Sequence, residues 1–332
     1  SERPSVTNKN PQAISVSTHG LGRYKSGRWG TLSVDATNRE SAATAIEMAA
    51  WIGGHENNQF GRSVWVPGEA RRTTWAPIFI PRRHRDSSDP MLFWMGVRKS
   101  GDTEVLSTGR NRDRIESRQL IAPRSNVVFA VIDGGEEHHF VNSDLLKYVV
   151  SQLQPQTAVL SINAGQLPVI SEALHTTQVL VVIGDVLAHD SAATEAVQDW
   201  VRQGGTLWLM LDTMTAESAQ VVCSGEHLIQ EVDRVSLTSY SLMTGSTATL
   251  RAPDAVDLER PVQLVRVFSE SASVVATVDG WPAAVKSSFG NGRIIASMLS
   301  LDGFCVPRGK LPPEHAKALG RQVWVTIAGQ DL

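Results

Sequence analysis

The densest group of chemically capable side chains in this sequence is Asp133-Gly134-Gly135-Glu136-Glu137-His138-His139. It follows an apolar run at 126–132, so it stands where a strand gives way to a loop. Asp185 follows a second apolar run at 179–183, with His189 four residues on. Asp212 closes a third run at 206–211, and Asp302 lies beyond a fourth at 293–299. Carboxylates and imidazoles gathered at one edge can ligate a divalent metal or serve as general acid and base. Open α/β sheets bind ligands outside the carboxyl ends of their strands, where all of these residues fall. Gly134 and Gly135 would let the loop fold tightly over such a site. The candidate rim is therefore Asp133, Glu136, His138, His139, Asp185, His189, Asp212 and Asp302, with a divalent metal as its one conceivable cofactor. No diagnostic ligand spacing links them, and strand-end loops are polar in any α/β domain. A solvated acidic rim is the plainer reading. His175, His227 and His315 stand alone and read as surface or helix-end residues.

The elements that must position this rim begin at residue 124. A helix is expected around 145–153, with Leu145, Leu146, Val149, Val150 and Leu153 on one face. Then come a strand at 157–162, a short helix near 168–174 and a strand at 179–183. The next helix has Asp190 or Ser191 as its N-cap and Ala193, Val197, Trp200 and Val201 as its stripe. Gly204 suits its left-handed end. Continuous rather than alternating strands imply burial on both faces, hence a mainly parallel, doubly wound sheet. Strands at 261–268 and 273–278 follow. After them 283–288 and 293–299 flank Phe289-Gly290-Asn291-Gly292, where Asn-Gly signals a hairpin. A closing helix is expected over 312–328.

Residues 1–123 carry a different period. Short β segments at 13–17, 29–38, 43–52, 63–66, 73–80, 91–98, 103–107 and 115–121 are separated by turn residues such as Pro67-Gly68. Their number and spacing predict a β-sandwich of immunoglobulin or fibronectin type. The alanines of 43–51 would also suit a helix. Trp29, Trp51, Trp65, Trp75 and Trp94 could line a carbohydrate site, but core and edge packing explains them more simply. The expected fold class is thus mixed: an all-β sandwich over 1–123, then an α/β doubly wound domain with a late β-hairpin over 124–332.

Charge divides the same way. Residues 1–125 hold 19 Lys and Arg against 12 Asp and Glu, while the remainder holds 12 against 22. The arginines of the basic half are scattered, except for Arg82-Arg83-His84-Arg85, which Asp86 and Asp89 follow at once. Nucleic acid is therefore an unlikely partner. Two cysteines, Cys223 and Cys305, have no metal-ligand spacing, and the sequence leaves a bridge between them open. No apolar run reaches the roughly 18 residues of a membrane span. The chain starts at Ser1 rather than Met, so an upstream segment is expected, and a leader or native anchor is compatible with that start.

The second domain resembles the class I glutamine amidotransferase-like superfamily, in the divergent form found in bacterial extracytoplasmic proteins behind a β-sandwich. The segments LPVISEALHTTQVLVVIGDV, AVQDWVRQGGTLWLML and AAVKSSFGNGRIIASML carry the resemblance. It implies a flavodoxin-like fold and an extracytoplasmic, periplasmic or cell-envelope location. Active members use a cysteine on a strand-to-helix elbow, with His and Glu supplied after the late hairpin, so that a thiolate attacks the amide. Here the elbow position reads Asp212-Thr213-Met214-Thr215, and the His and Glu positions fall near Leu301-Asp302-Gly303. The triad is absent. Cys223, in Cys223-Ser224-Gly225, lies about ten residues past the elbow and resembles the nucleophile motif only superficially.

Two functions follow as expectations. The first is a non-catalytic binding or scaffold module that takes a protein or carbohydrate ligand. The alternative is a hydrolase, metal-assisted or not, acting on a sugar or small amide through the rim.

Overall fold

The computed structural model describes residues 14–19, 24, 27–52, 59–82, 91–101, 115–120, 128–133, 158–163, 167–223, 229–244, 254–269 and 271–304. The chain divides into two compact units, Ser1–Arg124 and Ser125–Leu332.

In the first unit β1 (Ile14–His19), β2 (Trp29–Asn38) and β5 (Ala70–Phe79) form one antiparallel sheet. The other contains β3 (Thr44–Ile52), β4 (Gln59–Val66), β6 (Met91–Lys99) and β7 (Ile115–Leu120). Their strand orders are β1-β2-β5 and β4-β3-β6-β7. The ambiguous stretch at 43–51 is strand. Ile46, Met48, Ala50 and Ile52 alternate into the core, and pairing to both β4 and β6 overrides the helical preference of its alanines. These side chains pack with Leu32, Val64, Val66, Ile78 and Ile80 in one apolar cluster. Each fully buried aliphatic side chain contributes about 1.5–3 kcal/mol. The expected strand at 103–107 lies outside the described residues.

Polar groups in this unit are tied down locally. Tyr24 is buried and its hydroxyl donates to the Thr31 carbonyl at 2.8 Å. Asp35 is buried and accepts from Arg71 and Thr73 of the neighbouring strand. Arg62 of β4 donates to the Trp75 carbonyl of β5, and Arg72 of β5 donates to the Trp65 carbonyl of β4 at 2.9 Å. β4 and β5 are the edges of their sheets among the described residues, so this reciprocal clasp occupies carbonyls that an edge would otherwise offer to another strand. Several arginines of the basic half are thereby accounted for within the sandwich. Trp75 is in the core, whereas Trp29 and Trp65 are 40% and 56% exposed.

Among the described residues the second unit is built on one nine-stranded sheet. Its strands are β8 (Val128–Asp133), β9 (Ala158–Asn163), β10 (Val179–Ile183), β11 (Thr206–Met210), β12 (Gln230–Thr244), β13 (Asp254–Phe268), β14 (Ser273–Val278), β15 (Trp281–Phe289) and β16 (Gly292–Ser297). Their order is β13-β12-β14-β15-β16-β11-β10-β8-β9. From β9 to β16 the pairings are parallel; from β16 to β13 they are antiparallel. The expectation of a mainly parallel sheet therefore holds for five strands only. Four antiparallel strands are inserted between β11 and β16, and β12 was absent from the sequence reading altogether. Its register shifts twice, between Glu231 and Asp233 and between Leu237 and Ser239. Each bulge flips the phase of the period-2 pattern and hides the strand.

Beyond β16 the chain pairs with β13. Leu264 and Leu299 form an antiparallel bridge, Val265 N–H donates to the Met298 carbonyl at 2.9 Å, and Ser300 N–H donates to the Gln263 carbonyl at 2.9 Å. The inserted strands thus curl until β13 meets the continuation of β16, which removes an open edge at that point.

Every residue of β10 and β11 is buried, as the continuous apolar runs require. Helix α1 (Ser191–Arg202) follows β10, with the Asp190 carboxylate accepting from Ala193 N–H at 3.0 Å as N-cap. Its face of Ala193, Val197, Trp200 and Val201 is buried. The segment near 168–174 forms a 3₁₀ turn, Ser171–Leu174, rather than an α-helix. The helices expected at 145–153 and 312–328 lie outside the described residues.

The late hairpin is present, but its two-residue loop is Gly290-Asn291 and not Asn-Gly, because Phe289 pairs with Gly292. Only Gly290 has a positive φ there, +61°. The turn docks on the end of α1: Asn291 N–H donates to the Arg202 carbonyl at 2.9 Å, and Arg293 N–H to the Gly205 carbonyl at 3.1 Å. A Cβ on Gly292 would lie 2.0 Å from the Val201 carbonyl oxygen, so only glycine permits this approach.

Candidate functional site

The parallel strands end in one row. Asp133 of β8 is in register with Asn163 of β9 and Ile183 of β10, Ile183 with Met210 of β11, and Met210 with Ser297 of β16. Asp133 therefore stands at the carboxyl edge of the parallel strands. Glu136, His138 and His139 lie outside the described residues, as does the side chain of Asp133.

Asp185 follows β10 and Gly184, and its carboxylate is tied to the next loop. Its Oδ1 accepts from the Thr215 N–H at 2.8 Å and from the Thr215 hydroxyl at 3.2 Å. Thr215 is the N-cap of α2 (Ala216–Val222), and its Oγ1 accepts from Ser218 N–H at 3.2 Å. The same oxygen lies 2.9 Å from Ser218 Oγ. A second tie runs in parallel, since Thr213 Oγ1 accepts from Gly184 N–H at 3.1 Å and donates to the Met210 carbonyl at 2.7 Å. The two loops that leave β10 and β11 are thus stitched together by Asp185, Thr213 and Thr215.

The strand-to-helix connection after β11 is a 3₁₀ turn, Leu211–Thr213, with Met214 buried behind it. No residue between Met210 and Ala216 has a positive φ, so the sharp strained elbow that projects a nucleophile is not formed. Arg234 of β12 braces the turn from outside. Its Nη2 donates to the Met214 carbonyl at 2.6 Å, and its guanidinium also pairs with Glu231.

The remaining rim residues are dispersed. His189 ends a 3₁₀ turn, Val186–His189, and is exposed. Asp302 is exposed on a further 3₁₀ turn, Leu301–Phe304, whose Gly303 carbonyl accepts from the Tyr240 hydroxyl. Before reaching Asp302 the chain has been drawn onto β13 through Met298–Ser300. Among the described residues no group of three or more His, Cys, Asp and Glu is arranged to hold a metal ion. Cys223 is buried at the C-cap of α2, seven residues into a helix that the elbow should precede. A thiol there is not presented to a substrate.

One cluster that sequence reasoning missed lies on the inserted strands. Arg266 Nε donates to Asp233 Oδ1 at 2.6 Å, while Nη2 donates to Oδ2. The Asp233 hydrogen bonds hold the Arg266 guanidinium above its ordinary value. Arg266 lies over the Trp281 ring, 5.2 Å from its centroid, and Trp281 meets Phe268 at 5.7 Å with the rings inclined at 51°. Arg266 and Phe268 two apart on a strand were a readable signal. Asp233 was not, because β12 is hidden by its bulges, and neither was Trp281, because β15 is not a neighbour of β13 in the sheet order.

No family model matches the chain, and no curated protein does. Among solved structures, a cytoplasmic protein from Salmonella typhimurium LT2 is 16% identical, covering 61% of this chain and 99% of its own, with a TM-score of 0.41. A ThuA-like protein from Parabacteroides merdae is 11% identical over 62% of this chain and 92% of its own, with a TM-score of 0.40. A CARDB domain from Pyrococcus furiosus is 9% identical over 33% of this chain and 87% of its own, with a TM-score of 0.24. Likeness at this level assigns neither a family nor an activity.

No described helix is long and apolar enough to cross a membrane.

Proposed function

We propose that this chain is a non-catalytic binding module of an extracytoplasmic protein. In this reading an immunoglobulin- or fibronectin-like sandwich precedes a flavodoxin-like, amidotransferase-like sheet. The order of the five parallel strands, 2-1-3-4-5 in chain order, supports the flavodoxin-like assignment. The extracytoplasmic location rests on the sequence resemblance alone.

The observation that carries the non-catalytic reading is the commitment of Asp185 Oδ1 to Thr215. A general base must reach a proton on substrate or on a poised nucleophile. Here the carboxylate instead anchors a helix cap. The Thr215 hydroxyl beside it accepts from Ser218 N–H as the cap of α2. Among the described residues no imidazole contacts either group, and no nucleophile, base and orienting group stand together there.

Calorimetric titration of the full chain with zinc, manganese and calcium tests this reading against a metal-assisted hydrolase. A module whose rim is structural gives no micromolar site that depends on Asp185 or Asp212. Micromolar binding abolished by Asp185→Asn would overturn it.

A further inference from the structure

We infer that the outer edge of β12 over Asp233–Leu237 is a dimerisation edge, where a second copy of this chain pairs antiparallel about Val235. This goes beyond the binding-module reading and does not rest on it. Val265 N–H donates to the Met298 carbonyl and the Gln263 carbonyl accepts from Ser300 N–H, so both residues of β13 turn their backbone groups away from β12. Their register partners on β12 are Arg234 and Ser236. In an antiparallel ladder the two members of such a pair point their N–H and C=O groups in opposite directions. Those of Arg234 and Ser236 therefore face the far edge of β12. β14 reaches that edge only at Leu242–Thr244, and Asp279 closes the last rung through its two bonds with Ser241. Among the described residues no other backbone group meets this edge, and Arg234 and Ser236 are exposed.

Outward N–H and C=O groups two residues apart are the template for one more strand. The register of β12 selects a copy of itself. Bulges between Glu231 and Asp233 and between Leu237 and Ser239 bound a regular window, Asp233–Leu237, whose centre is Val235. A two-fold axis at Val235 sets Arg234 of each copy opposite Ser236 of the other, and each such pair exchanges two N–H···O bonds. Val235 meets its own counterpart on the axis, and Asp233 faces Leu237, so no like charges are directly opposed. A register centred on Arg234 would oppose two guanidinium groups, and one centred on Ser236 would run into the bulge at Thr238. The pairing is isologous, so it uses up the edge in both copies and closes at two. The bulges, which bend the strand away at both ends, keep it from extending further.

Sedimentation velocity of the full chain over a concentration series tests the pairing. A reversible monomer–dimer equilibrium that stops at two copies is expected. Ser236→Pro removes an outward N–H and keeps the rungs to β13, the position at which an edge strand accepts proline, and should abolish the dimer. Ser236→Lys sets a like charge opposite Arg234 of the other copy and should weaken dimerisation severalfold. Ser236→Glu sets an opposite charge there and should strengthen it by a similar factor. Circular dichroism checks that the variants fold; should Ser236→Pro fail to, the opposite responses of the two charged variants decide. A monomer at every concentration, a dimer indifferent to Ser236→Pro in the folded state, or equal responses to the Lys and Glu substitutions overturns the pairing.

Discussion

The carboxylate of Asp185 and the N-cap residue Thr215 are joined by two hydrogen bonds to one oxygen, of 2.8 Å from the backbone and 3.2 Å from the hydroxyl. This pair braces the loop that leaves β10 against the cap of α2. Asp185→Ala leaves the Thr215 N–H without its acceptor and should destabilise the second unit by about 1–2 kcal/mol. Hydrogen exchange in 216–222 should accelerate, while Asp185→Asn, which keeps an acceptor oxygen, should lose less than half as much. Unchanged exchange in the alanine variant would contradict the brace.

Gly292 should tolerate no side chain. Its added Cβ would meet the Val201 and Gly205 carbonyl oxygens at 2.0 and 2.3 Å, both backbone atoms that cannot swing aside. Gly292→Ala should therefore cost about 3 kcal/mol, at the upper end of overpacking penalties. A thermal melt resolved for the second unit would show it. A loss below about 0.5 kcal/mol, the range of an indifferent surface change, would mean that the hairpin does not seat on α1 as described.

Burial pushes the Tyr24 phenol well above its ordinary value. The folded sandwich thus keeps a proton that the unfolded chain releases near pH 10. The associated stability is fully present below that pH and is lost as pH rises through the folded value. Melting of the full chain between pH 9 and 11 should show the sandwich transition falling. Tyr24→Phe should flatten that alkaline slope while costing about 1 kcal/mol at neutral pH through the lost bond to the Thr31 carbonyl. An identical slope in both chains would exclude Tyr24 as its source.

The arginine clasp predicts a solubility phenotype more than a stability one. Arg62→Ala with Arg72→Ala removes two side chain–backbone bonds, each contributing about 1 kcal/mol, and bares carbonyls on two edge strands. Light scattering should report self-association of the double variant at concentrations where the parent stays dispersed. Equal scattering from the two chains would show that these edges are protected by other means.

What the sequence made legible follows the range of the interactions. The buried runs of β10 and β11 and the Asp190 cap are local patterns and could be read directly. The brace could not be read, since Asp185 and Thr215 lie 30 residues apart. The segment Asp212-Thr213-Met214-Thr215 was informative only for lacking a cysteine, although Thr215 followed by Ser218 is a cap signal in its own right. The hairpin was found from its glycines, yet its loop slipped by one residue because Phe289↔Gly292 pairing takes precedence over the Asn-Gly dipeptide. The first of the inserted strands, β12, was the largest omission. With β12 hidden by its bulges, neither the Leu264–Leu299 closure nor the meeting of Arg266 with Asp233 could be foreseen.

The non-catalytic account is tested most directly by product formation. The full chain and its Asp185→Asn, Asp212→Asn double variant should be incubated to long times with mixed oligosaccharides and small amides, and the mixtures analysed by mass spectrometry. A binding module leaves every substrate intact in both samples. Product released by the wild-type chain and missing from the double variant would contradict it.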